Sequence, residues 1–376
     1  MAPSQAITAA LTGLAIIATA YQIVALVMVR RFFAGRVAAM PSQVAASLLK
    51  PLHGAEPSLA ANLASFLEVA HHGALQMVCG VNQPQDSAVC AVEALMAAHP
   101  GADIALSTGP RERGANGKVG NLMAMLPLAK YDILVLSDSD MVVGRDYLAI
   151  VLAALARPGV GAVSCLYAGR GDAGFWSQLG AAAISYNGMP NMVVGLTSGL
   201  AQPCMGSTIA IRQATLAAIG GFQRFAETLA DDHAIGVAVA QLGLRVAVPP
   251  MLLVHAGTER SLGELWRHHL RWAVTIRGVA GAGHWGSFVT HAVPLALVAA
   301  LFQPLASGLV LLAALTVRIT LAGAVDRIHG QRTAPPWMIP LADCLGFVIF
   351  CASLTARKVD WRGQQLTMDA EGRITA

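Results

Sequence analysis

Two carboxylates spaced i, i+2 stand at the end of the stretch Tyr131-Asp132-Ile133-Leu134-Val135-Leu136-Ser137-Asp138-Ser139-Asp140-Met141. The apolar run Ile133 to Leu136 reads as a buried strand, and on an extended chain that spacing turns Asp138 and Asp140 to the same face. Hard oxygen ligands at the carboxyl end of a strand in an open α/β sheet can hold Mg2+ or Mn2+ against a bound diphosphate. An acidic turn after a strand is the ordinary alternative. The pair therefore gains its meaning from what accompanies it.

Several polar clusters do accompany it, in order. Leu49-Lys50-Pro51-Leu52-His53-Gly54 follows a first apolar run, at the kind of strand-end loop that receives nucleotides. Asp86, in Gln85-Asp86-Ser87, can hydrogen-bond a base or ribose or simply cap a helix. Gly114-Ala115-Asn116-Gly117-Lys118-Val119-Gly120-Asn121-Leu122, preceded by Arg111 and Arg113, suits anion recognition before a helix, although it lacks P-loop spacing. A flexible loop with solvated charges is its bland counterpart. Asp231-Asp232-His233 offers a general base or an acidic helix start. Finally, His268-His269-Leu270-Arg271-Trp272 sets a cation beside a large aromatic, as a membrane-surface anchor also would.

These groups need elements to hold them. From about residue 43 to 256, short apolar runs alternate with helical patterns. Candidate strands are Ala45–Leu49, Leu75–Val81, Asp103–Leu106, Ile133–Leu136, Val160–Leu166 and Leu244–Val248. Helical stretches fall at Leu59–His71, Ala88–His99, Val119–Lys130 and Asp146–Ala156. Such alternation implies a mostly parallel sheet covered on both faces.

The rest of the chain reads as membrane-associated. Of 376 residues, 55% are hydrophobic and only 12% charged, and the mean hydropathy of +0.58 exceeds that of an ordinary soluble domain. Met1 to Val29 carries no charge and is followed by Arg30, Arg31 and Arg36. A signal peptide carries its positive charge before the apolar stretch, so residues 1–36 read as an uncleaved anchor with a cytosolic domain after it. Residues 261–286 form an aromatic-basic, interfacial segment. Apolar runs then follow at Phe288–Leu305, Ser307–Val325 and Trp337–Leu354, within residues 287–356. They contain Arg318 and Asp343, charges expected to face the bundle interior or the interface rather than lipid. Three full crossings would leave the basic tail 357–376 (Arg357, Lys358, Arg362) on the wrong side, so one run reads as re-entrant or interfacial.

The six cysteines form no Cys-x-x-Cys pair, and the net charge of +4 without a basic-aromatic run gives no case for nucleic acid.

Taken together, Lys50-Pro51-Leu52-His53-Gly54, Asn116-x-Lys118-x-x-Asn121-Leu122, Asp138-x-Asp140, Gly206-Ser207-Thr208, Asp231-Asp232 and Arg271-Trp272 resemble the ceramide glucosyltransferase family of GT-A glycosyltransferases. The family pattern is D, D, D, (Q/R)xxRW. It is matched by Asp86, Asp138 with Asp140, Asp232, Arg271 and Trp272, whereas His268 stands where Gln or Arg is expected.

The resemblance implies a GT-A catalytic domain over residues 43–260 between membrane segments. It also implies an inverting transfer from a UDP-sugar, UDP-GlcNAc or UDP-glucose, to a lipid hydroxyl. The roles it carries over are Asp232 as base, Asp138 and Asp140 as ligands of Mg2+ or Mn2+, and Lys50, Pro51, Asp86, Asn116, Lys118, Asp138 and Arg271 on the donor side. His268 and Trp272 fall on the acceptor side, and Phe175–Leu200 helps to form the lipid entrance. Within the family the chain looks most like a bacterial, hopanoid-associated branch, which implies an inner-membrane location with a cytosolic catalytic domain. Ceramide or diacylglycerol as acceptor, and a processive polysaccharide synthase, stay open as alternatives.

Overall fold

The computed structural model describes residues 3–35, 40–109, 114–201, 204–356, 358–361, 364–368 and 374–375. Arg36, Arg111, Arg113, Arg357 and Arg362 lie outside the described residues. Ten strands precede the last helices: β1 (Ala46–Pro51), β2 (Leu75–Val81), β3 (Asp103–Thr108), β4 (Ile133–Leu136), β5 (Met141–Val142), β6 (Val160–Ser164), β7 (Leu166–Gly171), β8 (Ile209–Arg212), β9 (Arg245–Ala247) and β10 (Leu252–Gly257). The helices are α1 (Pro3–Ala34), α2 (Leu59–Leu67), α3 (Ala88–Ala98), α4 (Gly117–Met125), α5 (Tyr147–Leu155), α6 (Phe175–Ala183), α7 (Met189–Thr197), α8 (Gln213–Ala218), α9 (Asp231–Gln241), α10 (Leu262–Ala280), α11 (Ala282–Gly286), α12 (Ala292–Phe302), α13 (Pro304–His329) and α14 (Met338–Thr355).

Seven strands form one sheet in the order β3-β2-β1-β4-β8-β6-β9. The pairings β3–β2, β2–β1, β1–β4 and β6–β9 are parallel, whereas β8 runs antiparallel to both its neighbours. The strands are apolar on both sides because both faces are covered. Leu48, Met77, Cys79, Ile133 and Val135 pack on one face, and Leu49, Val78, Leu134, Leu136 and Ile211 on the other. A second sheet, β5-β10-β7, sits at the strand ends where the chemistry-bearing loops emerge.

The largest boundary differences from the sequence expectation fall in three elements. Residues 160–166 are two strands in different sheets, because the chain leaves the main sheet at Cys165, whose carbonyl accepts the Ser207 hydroxyl at 2.7 Å. The helix expected at 119–130 begins earlier, where Asn116 caps α4, and passes into a 3-10 turn at Leu126–Leu128 around Pro127. The helix expected over 59–71 stops at Leu67. The tail, read only as basic, contains a small antiparallel sheet, Lys358–Trp361, Gln364–Met368 and Ile374–Thr375.

Among the described residues, three helical spans are long and apolar enough to cross a membrane, namely Ile7–Ala34, Leu305–His329 and Met338–Thr355. A fourth is possible if Ala282–Thr290 and Ala292–Phe302, bent by 62° at their junction, count as one broken span; otherwise they form a re-entrant loop. This bent pair overlaps the first of the three apolar runs after residue 287. Helices α1 and α13 run in the same direction, since Thr12 meets Ser307 and Gln22 meets Arg318.

Arg318 and Asp343 are partners, and the surrounding sequence explains how they are tolerated. The Arg318 guanidinium donates to both Asp343 oxygens at 2.8 and 2.6 Å, to Gln22 Oε1 at 3.3 Å and to the Tyr186 carbonyl at 2.6 Å. That carbonyl sits in a π turn, Ile184–Gly188, which joins α6 to α7 and disturbs the regular i→i−4 ladder. One guanidinium therefore ties α1, α13, α14 and the α6–α7 hairpin-free rod together. Removing one partner of a buried ion pair typically costs about 3–5 kcal/mol, because the other charge is left uncompensated. Arg318→Leu is expected to lower the melting temperature in detergent sharply, and Arg318→Leu with Asp343→Leu to recover part of the loss. Equal melting curves for the single variant and the parent protein would show that the pair holds nothing together.

Candidate active site

The acidic turn after β4 is fastened to a glycine. The Asp138 amide donates to the Gly206 carbonyl at 3.1 Å, and the Gly206 amide donates to Asp232 Oδ2 at 2.9 Å. Two aspartates distant in sequence, one through its amide and one through its carboxylate, are thus tied to one residue's backbone. A side chain at Gly206 has no room, because a Cβ would fall 2.4 Å from Asp138 Oδ2 and 2.9 Å from Lys118 Nζ. The second Asp232 oxygen accepts the His233 amide at 2.8 Å, which fixes the carboxylate plane.

Lys118 supplies the compensating charge. Its Nζ lies 2.7 Å from Asp138 Oδ1 and 3.6 Å from Asp231 Oδ2. Burial acts to lower the Lys118 pKa, but the carboxylates around it prevail and raise it, so the amine stays charged. Burial and the neighbouring Asp232 push Asp231 upward against the pull of Lys118. Asn116 aims the lysine: its Oδ1 accepts the amides of Lys118 and Val119, and its Nδ2 donates to Thr228 O at 2.6 Å and Asp231 Oδ1 at 3.2 Å. Both polar ends of Asn116 are therefore spent inside the protein.

Lys50 lies beneath the turn. It is fully buried, with Nζ donating to the Asp138 carbonyl at 2.7 Å and Ser137 Oγ at 3.1 Å, and it sits 3.7 Å from the centre of the Phe66 ring. Burial brings its pKa down to about 7, although Asp138 and Asp140 pull the other way. Pro51 closes β1 opposite Gly80. Asp86 stitches two loops, because its Oδ1 accepts the amides of Gly54 at 2.8 Å and Ala88 at 2.9 Å, with His53 Nδ1 3.5 Å from Oδ2.

Strand pairing brings in a residue that the sequence reading missed. β10 pairs with β5 so that His255 lies opposite Met141, and Ala256 N–H donates to the Asp140 carbonyl at 2.8 Å. His255 Nε2 ends 3.2 Å from Asp140 Oδ2. Burial alone would raise Asp140, yet His255, with His268 and Lys50, brings it down to about 2. Burial likewise acts to lower His255, and Asp140 raises it instead.

Helix α10 completes the ring. Ser261 caps it by accepting the Glu264 amide, and its polar-apolar periodicity leaves Leu265 and Val274 buried. His268 Nδ1 meets Glu259 Oε1 at 2.5 Å, and its ring centre lies 4.3 Å from that of Trp272 and 6.0 Å from that of His255. Trp272 also meets His255 edge-on at 5.7 Å. Burial tends to raise Glu259, but His268 holds it ionised, down to about 2. Half-buried Arg271 follows His268 by one helical turn and is near enough to Tyr167 to act on its phenol, as are Asp232, Asp140 and Asp138.

A divalent cation fits this set. Asp140 Oδ1 is buried without a hydrogen-bond partner, and the Asp138 side chain is about one-third exposed. Mg2+ and Mn2+ accept one or two carboxylates with phosphate oxygens and waters completing the shell. No group of three His, Cys, Asp or Glu side chains suited to a metal occurs among the described residues, so such an ion would be shared with a substrate rather than caged.

Comparison with known proteins gives the family and the fold. The model of glycosyl transferase family 21 matches residues 10–374. Ceramide glucosyltransferase 1 of Caenorhabditis elegans is 24% identical over 209 residues, covering 55% of this chain and 44% of that protein. Ceramide glucosyltransferase 3 of the same organism is 25% identical over 236 residues, covering 60% and 49%. The chain thus spans about half the length of these curated relatives. Among solved structures, the mannosyltransferase PcManGT from Pyrobaculum calidifontis, in complex with GDP-Man and Mn2+, superimposes with a TM-score of 0.51 at 22% identity, covering 91% of this chain and 99% of that one. The architecture is a GT-A-like α/β fold with apolar helices on both sides in sequence. The chain belongs to glycosyl transferase family 21.

Gly206→Ala is the sharpest test of this site. Its φ is not one that only glycine adopts, so crowding at Asp138 and Lys118 is the cost of the methyl group. We expect a loss of nucleotide-sugar binding, read by calorimetry, with little change in melting temperature. Full binding by the variant would show that the Asp138–Lys118 spacing does not matter.

Proposed function

We propose that this chain is a membrane-bound, inverting glycosyltransferase that moves one sugar from a UDP-sugar to a lipid hydroxyl. The observation that carries this reading is the gathering of Asp138, Asp140, Asp232 and Arg271 around Tyr167, with Trp272 against the His255 ring that meets Asp140, on a helix α10 that leads into the apolar helices. An anionic diphosphate and an apolar acceptor meet only where water and bilayer meet.

In this reading Asp138 and Asp140 hold Mg2+ or Mn2+, which when bound neutralises the leaving diphosphate. The mannosyltransferase PcManGT, likewise of GT-A-like fold, holds Mn2+ with its GDP-Man. Lys118 and Arg271 bind the donor phosphates, and the loops held by Lys50, Pro51, Asp86 and Asn116 shape the nucleotide site. Asp232 takes the proton of the acceptor hydroxyl. The oxygen forms its bond to the anomeric carbon as the bond from that carbon to the diphosphate breaks, and the electron pair leaves with UDP. Backbone bonds from Gly206 and His233 hold the Asp232 carboxylate in place for this step. Trp272 and His268 line the acceptor side, with the α6–α7 rod beside them.

For the acceptor we favour a hydroxylated hopanoid with GlcNAc as the sugar, in the inner membrane of a bacterium with the catalytic domain cytosolic. The support is the resemblance of the ordered motifs to that branch. A ceramide acceptor with glucose is the second reading, and the names of the two nematode relatives favour it. Diacylglycerol is a third acceptor to include in any panel.

Purified protein should release UDP only when donor, acceptor lipid and divalent cation are all present, and mass spectrometry should show a single added hexose or GlcNAc. Asp232→Asn should lower turnover by about 10²–10⁴-fold with donor binding retained. EDTA should abolish activity, and Mg2+ or Mn2+ should restore it. Near-normal turnover by Asp232→Asn rejects the base, while a polymer product rejects single transfer.

A further inference from the structure

We propose that the C-terminal ends of α1 and α13 form a binding site for the headgroup of an anionic phospholipid, separate from the acceptor pocket. A cavity of about 280 Å3 there is lined by Arg30, Phe33, Ala34, Ala324, Arg327 and Ile328. Two guanidiniums almost three hundred residues apart thus open onto one apolar recess. Neither has a carboxylate partner among the described residues. Arg327 Nε donates to Gly323 O at 2.9 Å, which leaves its outer nitrogens for another acceptor. Asp326, the nearest acid in sequence, is turned away onto the Tyr186 hydroxyl at 2.8 Å and the Thr333 amide at 3.1 Å.

The depth of the two arginines gives a second, independent argument. Arg318 lies near the middle of the span Leu305–His329 and touches Gln22, near the middle of Ile7–Ala34. Arg30 follows Gln22 by eight residues and Arg327 follows Arg318 by nine, along two helices that run in the same direction. At the helical rise these steps are about 12 and 14 Å, and half the hydrocarbon thickness is about 15 Å. Both guanidiniums therefore reach the phosphate plane at one level, while Phe33, Ala324 and Ile328 face the first acyl carbons. Basic pockets between membrane helices recognise anionic headgroups in this way. The occupant is a lipid phosphate rather than free phosphate, because the recess is apolar below its charged rim.

The test uses the full-length protein in nanodiscs, with lipid occupancy counted by native mass spectrometry and stability read by thermal unfolding. Phosphatidylglycerol should be retained and should raise the unfolding midpoint over phosphatidylcholine, and inorganic phosphate should not. In Arg30→Gln with Arg327→Gln the preference should fall about 30-fold, as expected for two basic residues at the headgroup plane. Should that variant fail to fold, Ala34→Trp fills the recess from its exposed rim and keeps both charges, and it should likewise displace the lipid. Retained preference in whichever variant folds, equal binding of phosphatidylcholine, or full mimicry by inorganic phosphate would overturn the proposal. UDP-sugar binding in phosphatidylcholine should be unchanged in both variants, which separates this site from the catalytic reading.

Discussion

Four carboxylates gathered around Gly206 and the end of β4 set the terms for the rest of the structure. Asp138, Asp140, Asp231 and Asp232 would repel one another strongly in a partly buried site. The fold answers with cations at fixed places: Lys118 between Asp138 and Asp231, His255 against Asp140, and Lys50 under the turn. Each comes from a different element, so the site exists only when β1, the Asn116-capped α4 and β10 are all in position. Electrostatic balance and tertiary folding are the same requirement here.

That dependence explains which parts were legible in the amino-acid sequence. Parallel strands buried on both faces announce themselves as short apolar runs, so β2 and β4 were read at their true boundaries and β1 and β3 to within two residues. β8 and β10 lacked flanking signals: β8 follows a loop of small residues, and β10 is six residues with a buried histidine in the middle. His255 was invisible for the same reason. A histidine in an apolar run carries no motif, and only the pairing of β10 with β5 shows that it faces Asp140. Glu259 was likewise unremarkable until the bend before α10 carried it back onto His268. Asn116 and Lys50 stood out by type, but their hydrogen bonds point inward, to the helix cap and to the Asp138 carbonyl. Residue type locates a site more readily than it distinguishes the groups that meet a ligand from those that hold them.

The link from the catalytic sheet to the apolar helices follows from local chemistry as well. α10 begins at a Ser261 cap and ends at Gly281, whose φ of +48° favours a residue without a side chain. Arg277, in its last turn, donates to the carbonyls of Ser353 and Ala356 at the end of α14. A cation there answers the exposed carbonyls of a helix C-terminus. The helix that carries His268, Arg271 and Trp272 is therefore held at one face by Glu259 and His255 and at its far end by the last apolar helix. A shift of that helix would be felt at Asp140 through two ring contacts.

The departure from the family pattern at His268 becomes intelligible in this setting. Glutamine or arginine presents hydrogen-bond donors without assistance, whereas an imidazole has two nitrogens whose roles must be assigned. An ionised Glu259 oxygen at 2.5 Å from Nδ1 requires the proton on that nitrogen, since two acceptors cannot share so short a contact. The ring is then locked in rotation and tautomer, with Trp272 stacked edge-on against it. Histidine and glutamate together thereby achieve the fixed polar group that glutamine or arginine supplies alone. Glu259 is less than a tenth exposed, and the hydrogen bond from the ring it orients is what makes its buried carboxylate tolerable there.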